Sequence, residues 1–351
     1  MVSAGAERGS RVAFLDLARG LAIVFMVLQH AVIIYAVGEG EPSILGRMVL
    51  LLGTAPAAPV FLLIMGVFLG RSSRGVRHGV LRGLRLLALG YLLNFLRFTL
   101  PLAIARVEGP LPNAAESPLS LLWAVDILQM AGLSFIVLTL LKRTLPFRWA
   151  WVAIAAGVAV LAPLLWGRGA PCPLFDLLWG AGGQVFFPLF PWLVYPLVGM
   201  AYGPYLLSAD GSGRVMKRTA GLGGLLMVVG ASTFLLPKTV IFGVGDYCRS
   251  GLGMHLLVLG IVFLWLPLCW LLVRRASDGR GLRLLYFWSR NVTTVYFIQW
   301  VLIGWGILLL DSNRCSSLAA VGVGVVVLLL THITVKAHRA LAMRRSSRRI
   351  G

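Results

Sequence analysis

Apolar residues occur in membrane-length runs along the whole chain, and short loops rich in Arg, Gly and Pro separate the runs. Because roughly 20 apolar residues cross a bilayer as an α-helix, each run predicts one transmembrane helix. The pattern therefore predicts an all-α integral membrane protein that forms one domain over residues 1–351. The ten predicted helices cover residues 17–37, 48–70, 86–105, 119–141, 149–166, 185–207, 219–236, 252–273, 284–310 and 316–335.

Composition and charge agree with this class and predict an orientation. Hydrophobic residues make up 59% of the chain and charged residues 13%, whereas soluble domains carry about 25% charged residues. If the N-terminus (1–16) is cytoplasmic, most of the 32 Lys and Arg residues fall in loops on that side and in the basic tail 336–351. The positive-inside rule then places both termini in the cytoplasm, and we expect a multi-pass protein of the cell (inner, cytoplasmic) membrane.

The net charge of +20 does not indicate nucleic-acid binding. The charges are distributed between the predicted spans, where topology and anionic lipid headgroups account for them. Membrane lipids are therefore the partners that the charge predicts.

The first membrane-length stretch, residues 11–37, carries three ionisable residues, Asp16, Arg19 and His30. At 100° per residue they fall within a sector of roughly 60° and extend along about 21 Å of the helix axis. Ionisable residues are costly in lipid, so this stripe is a functional hypothesis. The distance excludes a direct pair between Asp16 and His30, and the partner that orients His30 must come from another helix.

The residue types in this stripe indicate a division of roles by depth. A neutral imidazole at His30 can take a proton from a hydroxyl or amine and return it to a leaving group. Asp16 and Arg19 can pair at the cytoplasmic end, and Arg19 can equally bind an anion through its planar guanidinium. A donor with a phosphate-rich handle and a reactive end, such as an acyl-CoA, fits this arrangement, although these residues alone do not identify it.

Other polar residues at membrane depth come as local pairs. They are Asn94 with Arg97, Asp126 with Gln129, and Arg290 with Asn291. Each residue either binds a ligand or makes an ordinary interhelical hydrogen bond or ion pair, as Asp126 and Arg97 could do together. The ordinary interpretation is favoured for Asn94, Gln129, Gln184, Gln299 and His332.

The cysteines and the common catalytic motifs add few constraints. Cys172, Cys248 and Cys315 fall in predicted outer loops, where either one disulfide or three thiols would be stable, while Cys269 is expected to pack inside a helix. No metal-ligand spacing is present, and we predict no metal site. G-x-S-x-G, P-loop and H-E-x-x-H motifs are also missing from the sequence.

Five segments resemble one family of multi-pass membrane acyltransferases, those related to the catalytic domain of heparan-α-glucosaminide N-acetyltransferase. The opening RVAFLDLARGLAIVFMVLQHA is similar to the family's first helix, and its Arg-x10-His spacing also resembles the O-antigen-acetylase type of acyltransferase. The other four segments, in the family's order, are AAPVFLLIMGVFLG (57–70), WAVDILQMAGLS (123–134), FPLFPWLVYPLVGMAYG (187–203) and FWSRNVTTVYFIQ (287–299).

The resemblance implies transfer of an acyl group, expected to be acetyl, from cytoplasmic acyl-CoA. The acceptor would be a hydroxyl or amine of a sugar, glycan or small metabolite at the outer side. The residues carried over are His30 and Asp16 as catalytic residues, and Arg19, Arg97, Arg290 and Asn291 as donor-binding residues. The lysosomal enzyme has a histidine in the loop after its first helix, but residues 38–47 contain none, so its sugar substrate is not carried over.

Several alternatives stay open on the sequence alone. Intramembrane Asp, Arg and His also build proton-coupled transporters and exporters of small polar solutes, although no paired broken helices are visible in two halves of the sequence. A non-catalytic component of envelope assembly is a second alternative. Direct transfer and an acyl-histidine intermediate are both compatible with His30, and a homodimer is compatible with the sequence.

Overall fold

The computed structural model describes residues 12–36, 42–108, 117–145, 147–169, 172–207, 213–236, 247–276, 279–310 and 315–347. Most of the predicted cytoplasmic N-terminus (1–16) and the end of the basic tail (336–351) lie outside the described residues. Within the described ranges no β-strand forms, which confirms the all-α prediction. One isolated bridge joins Val125 to Val185.

The helices are as follows: α1 (Ala13–Tyr35), α2 (Ile44–Leu52), α3 (Ala58–Arg71), α4 (Val76–Asn94), α5 (Leu100–Glu108), α6 (Ile127–Thr144), α7 (Arg148–Leu165), α8 (Pro173–Trp179), α9 (Leu189–Trp192), α10 (Val194–Leu207), α11 (Gly213–Ser232), α12 (Leu252–Arg275), α13 (Arg280–Arg290), α14 (Val292–Gly306) and α15 (Ser317–Ser347). Helix α1 packs against α2, α3, α12, α13, α14 and α15. The predicted first span is therefore the helix around which much of the bundle packs.

Eight helical segments of the described chain are long and apolar enough to cross a membrane. They correspond to eight of the ten predicted spans. The other two predicted spans, 185–207 and 284–310, are divided. The first becomes α10 preceded by the short α9, whose backbone is non-helical at Phe190, and the second becomes α13 and α14, which meet at Asn291.

Two of the long segments contain a π-turn, in which one extra residue is accommodated within the helix. The turn Gly53–Ala57 joins α2 to α3 and contains Pro56, which lacks an amide hydrogen and cannot donate to a regular helical ladder. Neither Pro56 nor Pro59 breaks the segment, because the π-turn keeps it continuous from Ile44 to Arg71. A second π-turn, Phe95–Thr99, joins α4 to α5 without any proline inside it.

The fourth predicted helix begins later than expected, at Ile127 instead of 119. The backbone of Val125 bonds to the chain on either side of Val185, accepting from Phe186 N (2.8 Å) and donating to Gln184 O (2.9 Å). Asp126 then caps α6 in a capping box with Gln129. These bonds satisfy an irregular backbone at membrane depth, where unpaired polar groups are costly.

Glycines allow α3 and α10 to approach closely. A Cβ atom at Gly66 would overlap the carbonyl oxygen of Pro196, and one at Gly199 would overlap that of Leu63. Gly203 faces Val67 in the same contact. Gly66-x-x-x-Gly70 and Gly199-x-x-x-Gly203, two Gly-x-x-x-Gly motifs of the kind found at close contacts between membrane helices, thus lie in this contact.

No disulfide joins Cys172, Cys248 or Cys315, all of which lie in described parts of the chain. Cys269 is buried in α12, as predicted.

Candidate active site

His30 lies on α1 against three side chains of α14. Its Nδ1 is 3.3 Å from Oε1 of Gln299, its ring stacks on Trp300 with centroids 4.1 Å apart, and the ring of Tyr296 meets it edge-on at 6.3 Å. Gln299 is therefore the partner from another helix that the first-helix stripe required. The sequence interpretation had treated Gln299 as an ordinary interhelical hydrogen-bonding residue.

The hydrogen bonds of Gln299 set the proton position on His30. Gln299 Nε2 donates to the carbonyl oxygen of Tyr296 at 3.1 Å, so the oxygen end of the amide faces the imidazole. An oxygen acceptor requires the hydrogen to be on Nδ1, which leaves Nε2 with a free lone pair. Within the described chain Nε2 forms no hydrogen bond, and the side chain is partly exposed. His30 is thus arranged as a base.

A buried ion pair lies beside this histidine. Arg97 Nη1 is 2.6 Å from Asp126 Oδ2, and the two side chains are only 1% and 8% exposed. Asp126 Oδ2 also accepts from the Tyr296 hydroxyl at 2.8 Å, while Arg97 donates to Asn94 Oδ1 at 2.9 Å. The ion pair suggested by the sequence is confirmed, and it connects through Tyr296 to the face of His30.

The second π-turn brings Arg97 into this network. A Cβ atom at Gly304 would overlap the carbonyl oxygen of Arg97, so the backbone of the turn lies directly against α14. The guanidinium lies 4.5 Å from the ring centroid of Trp300 and 4.3 Å from that of Phe98. Arg97 and His30 therefore contact the same tryptophan.

At the other end of α1, Asp16 and Arg19 form a separate cluster. Asp16 Oδ1 accepts from Arg19 Nη2 at 2.6 Å and from the Ser289 hydroxyl at 2.8 Å. Arg19 reaches a cavity at this end of the bundle, so Asp16 positions a cation that a ligand can meet. The α-helix between them is continuous, which keeps Asp16 far from His30.

The cavity has a volume of about 650 Å³ and is enclosed mainly by α3, α4, α6 and α14. Basic residues line it toward the ends of these helices, aromatic and aliphatic residues line its middle, and Tyr296 lies at its inner end. The basic lining residues are Arg19, Arg74, Arg82, Lys142 and Arg143. The apolar lining includes Phe61, Met65, Phe68, Leu86 and Phe135.

Two of these cations are already held by the protein. Lys142 Nζ donates to the carbonyl oxygens of Leu69 (3.1 Å) and Ser72 (2.6 Å), which closes the end of α3. The Arg82 guanidinium lies over the ring of Phe135 at 4.5 Å, where its remaining N–H groups can still face the cavity.

Three residues predicted to bind the donor do not line this cavity. Arg97 is buried in the network described above. Arg290 is exposed and donates through Nε to the carbonyl oxygen of Tyr286 at 3.0 Å, while Asn291 donates to that of Phe287 at 2.7 Å. Arg290 and Asn291 thus finish α13. Of the cavity cations, Arg19 was predicted to bind the donor, whereas the charge of the others had been attributed to topology.

Taken together, the helical bundle, the partly buried histidine on α1 and the nearby cavity of ligand size define a multi-pass membrane protein with a polar interior site. Residues 11–236 match the family described as heparan-alpha-glucosaminide N-acetyltransferase, catalytic. The match covers more than half of the chain, and the protein belongs to this family of membrane acetyltransferases. No curated protein gives a significant match.

The matched region includes α1, Arg97, Asp126 and three walls of the cavity. It ends before α12, so Tyr296, Gln299 and Trp300 lie beyond it. The part of the site contributed by α14 is identified by the structure alone.

Proposed function

We propose that this protein transfers an acetyl group from acetyl-CoA, bound from the cytoplasmic side, to a hydroxyl or amine presented at the outer side. The acceptor class is a sugar, glycan or small metabolite, and the location is the cell membrane. One observation carries the proposal. The cavity runs from a group of cations to Tyr296, and the ring of Tyr296 contacts the imidazole of His30, the proposed base.

The cavity suits the shape and charge of acetyl-CoA. Arg74, Arg82 and Arg143 can meet the phosphates, because guanidinium groups give paired charge-assisted hydrogen bonds to phosphate. The apolar middle can hold the pantetheine arm and bring the thioester to Tyr296. A volume of about 650 Å³ falls in the range of roughly 300–1,000 Å³ that is typical of ligand sites.

The chemistry proposed for His30 is general acid–base catalysis. Its Nε2 takes the proton of the acceptor hydroxyl or amine as that oxygen or nitrogen attacks the thioester carbonyl. The new C–O or C–N bond forms, the C–S bond breaks, and the imidazolium returns the proton to the CoA thiolate. Gln299 keeps the Nδ1 hydrogen in place throughout, and the hydrogen bond to Asp126 holds Tyr296 in position at the end of the cavity beside His30.

Donor binding can be tested before the acceptor is known. Calorimetric titration of the purified protein with CoA should show that Arg82→Gln and Arg143→Gln each weaken binding about tenfold, the loss of one charge-assisted bond. Arg274→Gln is the matched control, because Arg274 is exposed at the end of α12 and does not line the cavity. Equal affinity in all three variants would exclude this cavity as the donor site.

Catalysis is tested once mass spectrometry of envelope glycans and metabolites, from cells with and without the gene, has identified the acetylated product. With labelled acetyl-CoA in detergent, His30→Ala should lower label transfer at least a hundredfold and leave CoA affinity unchanged. Unchanged transfer would overturn the role of His30. Solute flux in sealed vesicles without a covalent product would instead support the transporter alternative.

A further inference from the structure

A second cavity, of about 630 Å³, lies between α7, α10, α11 and α12 and shares no lining residue with the first. Most of its wall is aliphatic or aromatic, for example Val152, Val198, Leu222, Leu259 and Phe263. The polar groups inside it are satisfied by the protein.

His255 and Tyr202 are the clearest examples, because their polar atoms form hydrogen bonds within the protein. His255 bonds through Nδ1 to the Tyr195 hydroxyl and through Nε2 to the carbonyl oxygen of Ser250, both at 3.0 Å. The Tyr202 hydroxyl lies 3.1 Å from Thr219 Oγ1. The interior of this cavity thus offers an apolar surface to a ligand, since the polar atoms of His255 and Tyr202 are already hydrogen-bonded.

Charge is concentrated at one end of the cavity. Arg148 begins α7 and Arg218 lies in the second turn of α11, and both residues line the cavity. Neither residue forms an ion pair with any described residue, and no Asp or Glu occurs among the described lining residues. The cavity is therefore apolar along its length and cationic at its predicted cytoplasmic end.

We infer that this cavity binds an anionic phospholipid, with its phosphate at Arg148 and Arg218 and one acyl chain along the groove. The lining residues of α10 run from Val194 to Tyr205, about 16 Å at 1.5 Å per residue. That length matches half of a hydrocarbon core of about 30 Å, the depth of one leaflet. Trp149 on the rim is 70% exposed, so the site opens toward the surrounding lipid.

The test uses the purified full-length protein in neutral detergent, titrated with phosphatidylglycerol or phosphatidylcholine of matched chains and followed by native mass spectrometry. The double variant Arg148→Gln/Arg218→Gln should bind phosphatidylglycerol roughly 25-fold more weakly, at about fivefold for each charge. Its binding of phosphatidylcholine, whose phosphate is neutralised by choline, should change much less. The control Arg274→Gln/Arg275→Gln removes two exposed charges that do not line the cavity and should bind like the wild type.

A second pair of variants tests the groove without removing charge. Ala156 is exposed and lines the cavity, whereas Ala153 is exposed on the same helix and does not. Ala156→Trp should weaken phosphatidylglycerol binding at least tenfold, and Ala153→Trp should not. The inference is overturned if Ala156→Trp binds like the wild type, if the two charge variants lose affinity equally, or if phosphatidylcholine binds the wild type as tightly as phosphatidylglycerol does.

Discussion

Asp126→Asn should destabilise the protein more than Arg97→Gln, although both changes break the same ion pair. After Asp126→Asn, the buried guanidinium has no counter-ion, since the neutral amide that replaces the carboxylate carries no charge, and the guanidinium cannot lose its own charge. After Arg97→Gln, the carboxylate still accepts from Ile127 N at 2.7 Å and from the Tyr296 hydroxyl at 2.8 Å. A carboxyl group can also take up a proton, which removes the buried charge.

The expected magnitudes follow from the burial of the pair. Leaving one charge of a buried pair without its partner costs about 3–5 kcal/mol, so we expect a loss of about 4 kcal/mol for Asp126→Asn. For Arg97→Gln we expect about 2 kcal/mol, because two hydrogen bonds remain to the carboxylate. The double variant has no buried charge at this position and should lose less than the sum of the single losses, by about 1–3 kcal/mol.

The assay is thermal and denaturant unfolding of the detergent-solubilised protein, with exposed Arg290→Gln as the control for the loss of a cation. Native proteins are stable by only about 5–15 kcal/mol, so a loss of about 4 kcal/mol shifts the transition clearly. Strict additivity in the double variant, or a larger loss for Arg97→Gln than for Asp126→Asn, would show that the pair is not coupled as described.

The same double variant decides whether Arg97 also binds the donor. If Arg97 acts only in the buried network, CoA affinity measured by calorimetry should return close to the wild-type value once stability is partly restored. If its guanidinium meets the donor phosphates, as the sequence interpretation had it, affinity stays low in the double variant.

Three further predictions concern neighbouring positions. Gln299→Leu should lower the rate of acetyl transfer about tenfold to a hundredfold with little change in CoA affinity, because the imidazole of His30 loses the acceptor that fixes its tautomer. The control Gln299→Glu keeps an oxygen acceptor and should retain most of the rate. Tyr296→Phe should cost about 1.5–3 kcal/mol in unfolding experiments, the value of one hydrogen bond to a carboxylate, and a variant as stable as the wild type would contradict the network. Gly199→Ala should cost about 1–3 kcal/mol, because the added methyl group meets backbone of α3; Gly157→Ala, which has nothing within 4 Å, is the matched control and should not destabilise.

The hydrophobic pattern was sufficient for the architecture but not for its interruptions. Runs of apolar residues predicted the long helices, because crossing a bilayer imposes a length on each run. They did not predict that residues 119–126 leave the helix, since Leu119, Leu121 and Leu122 are as apolar as a helix requires. The departure is fixed by pairing with Val185, a contact distant in sequence.

The candidate site was only partly visible in the sequence, for a related reason. An ionisable residue in an apolar run stands out, and His30 and Asp16 were found in this way. Gln299 and Tyr296 are uncharged residues at ordinary helix positions, and only their distances to His30 distinguish them. Arg82 was assigned to topology because the positive-inside rule already accounts for basic loops, so its position on the cavity carried no separate signal.

Because of the π-turn at Phe95–Thr99, the site depends on how many residues this helix contains as well as on which residues they are. Removing Phe95 or Leu96, which precede Arg97 in this turn, would let the chain continue as an ordinary α-helix that is still apolar. One residue corresponds to 100° of rotation, so the side chains on one side of the deletion would turn relative to those on the other. Asn94 and Arg97 would then no longer share a face, and Arg97 would be turned away from Asp126. A protein shortened in this way would still insert as a membrane helix bundle while having lost the interior on which its chemistry is proposed to depend.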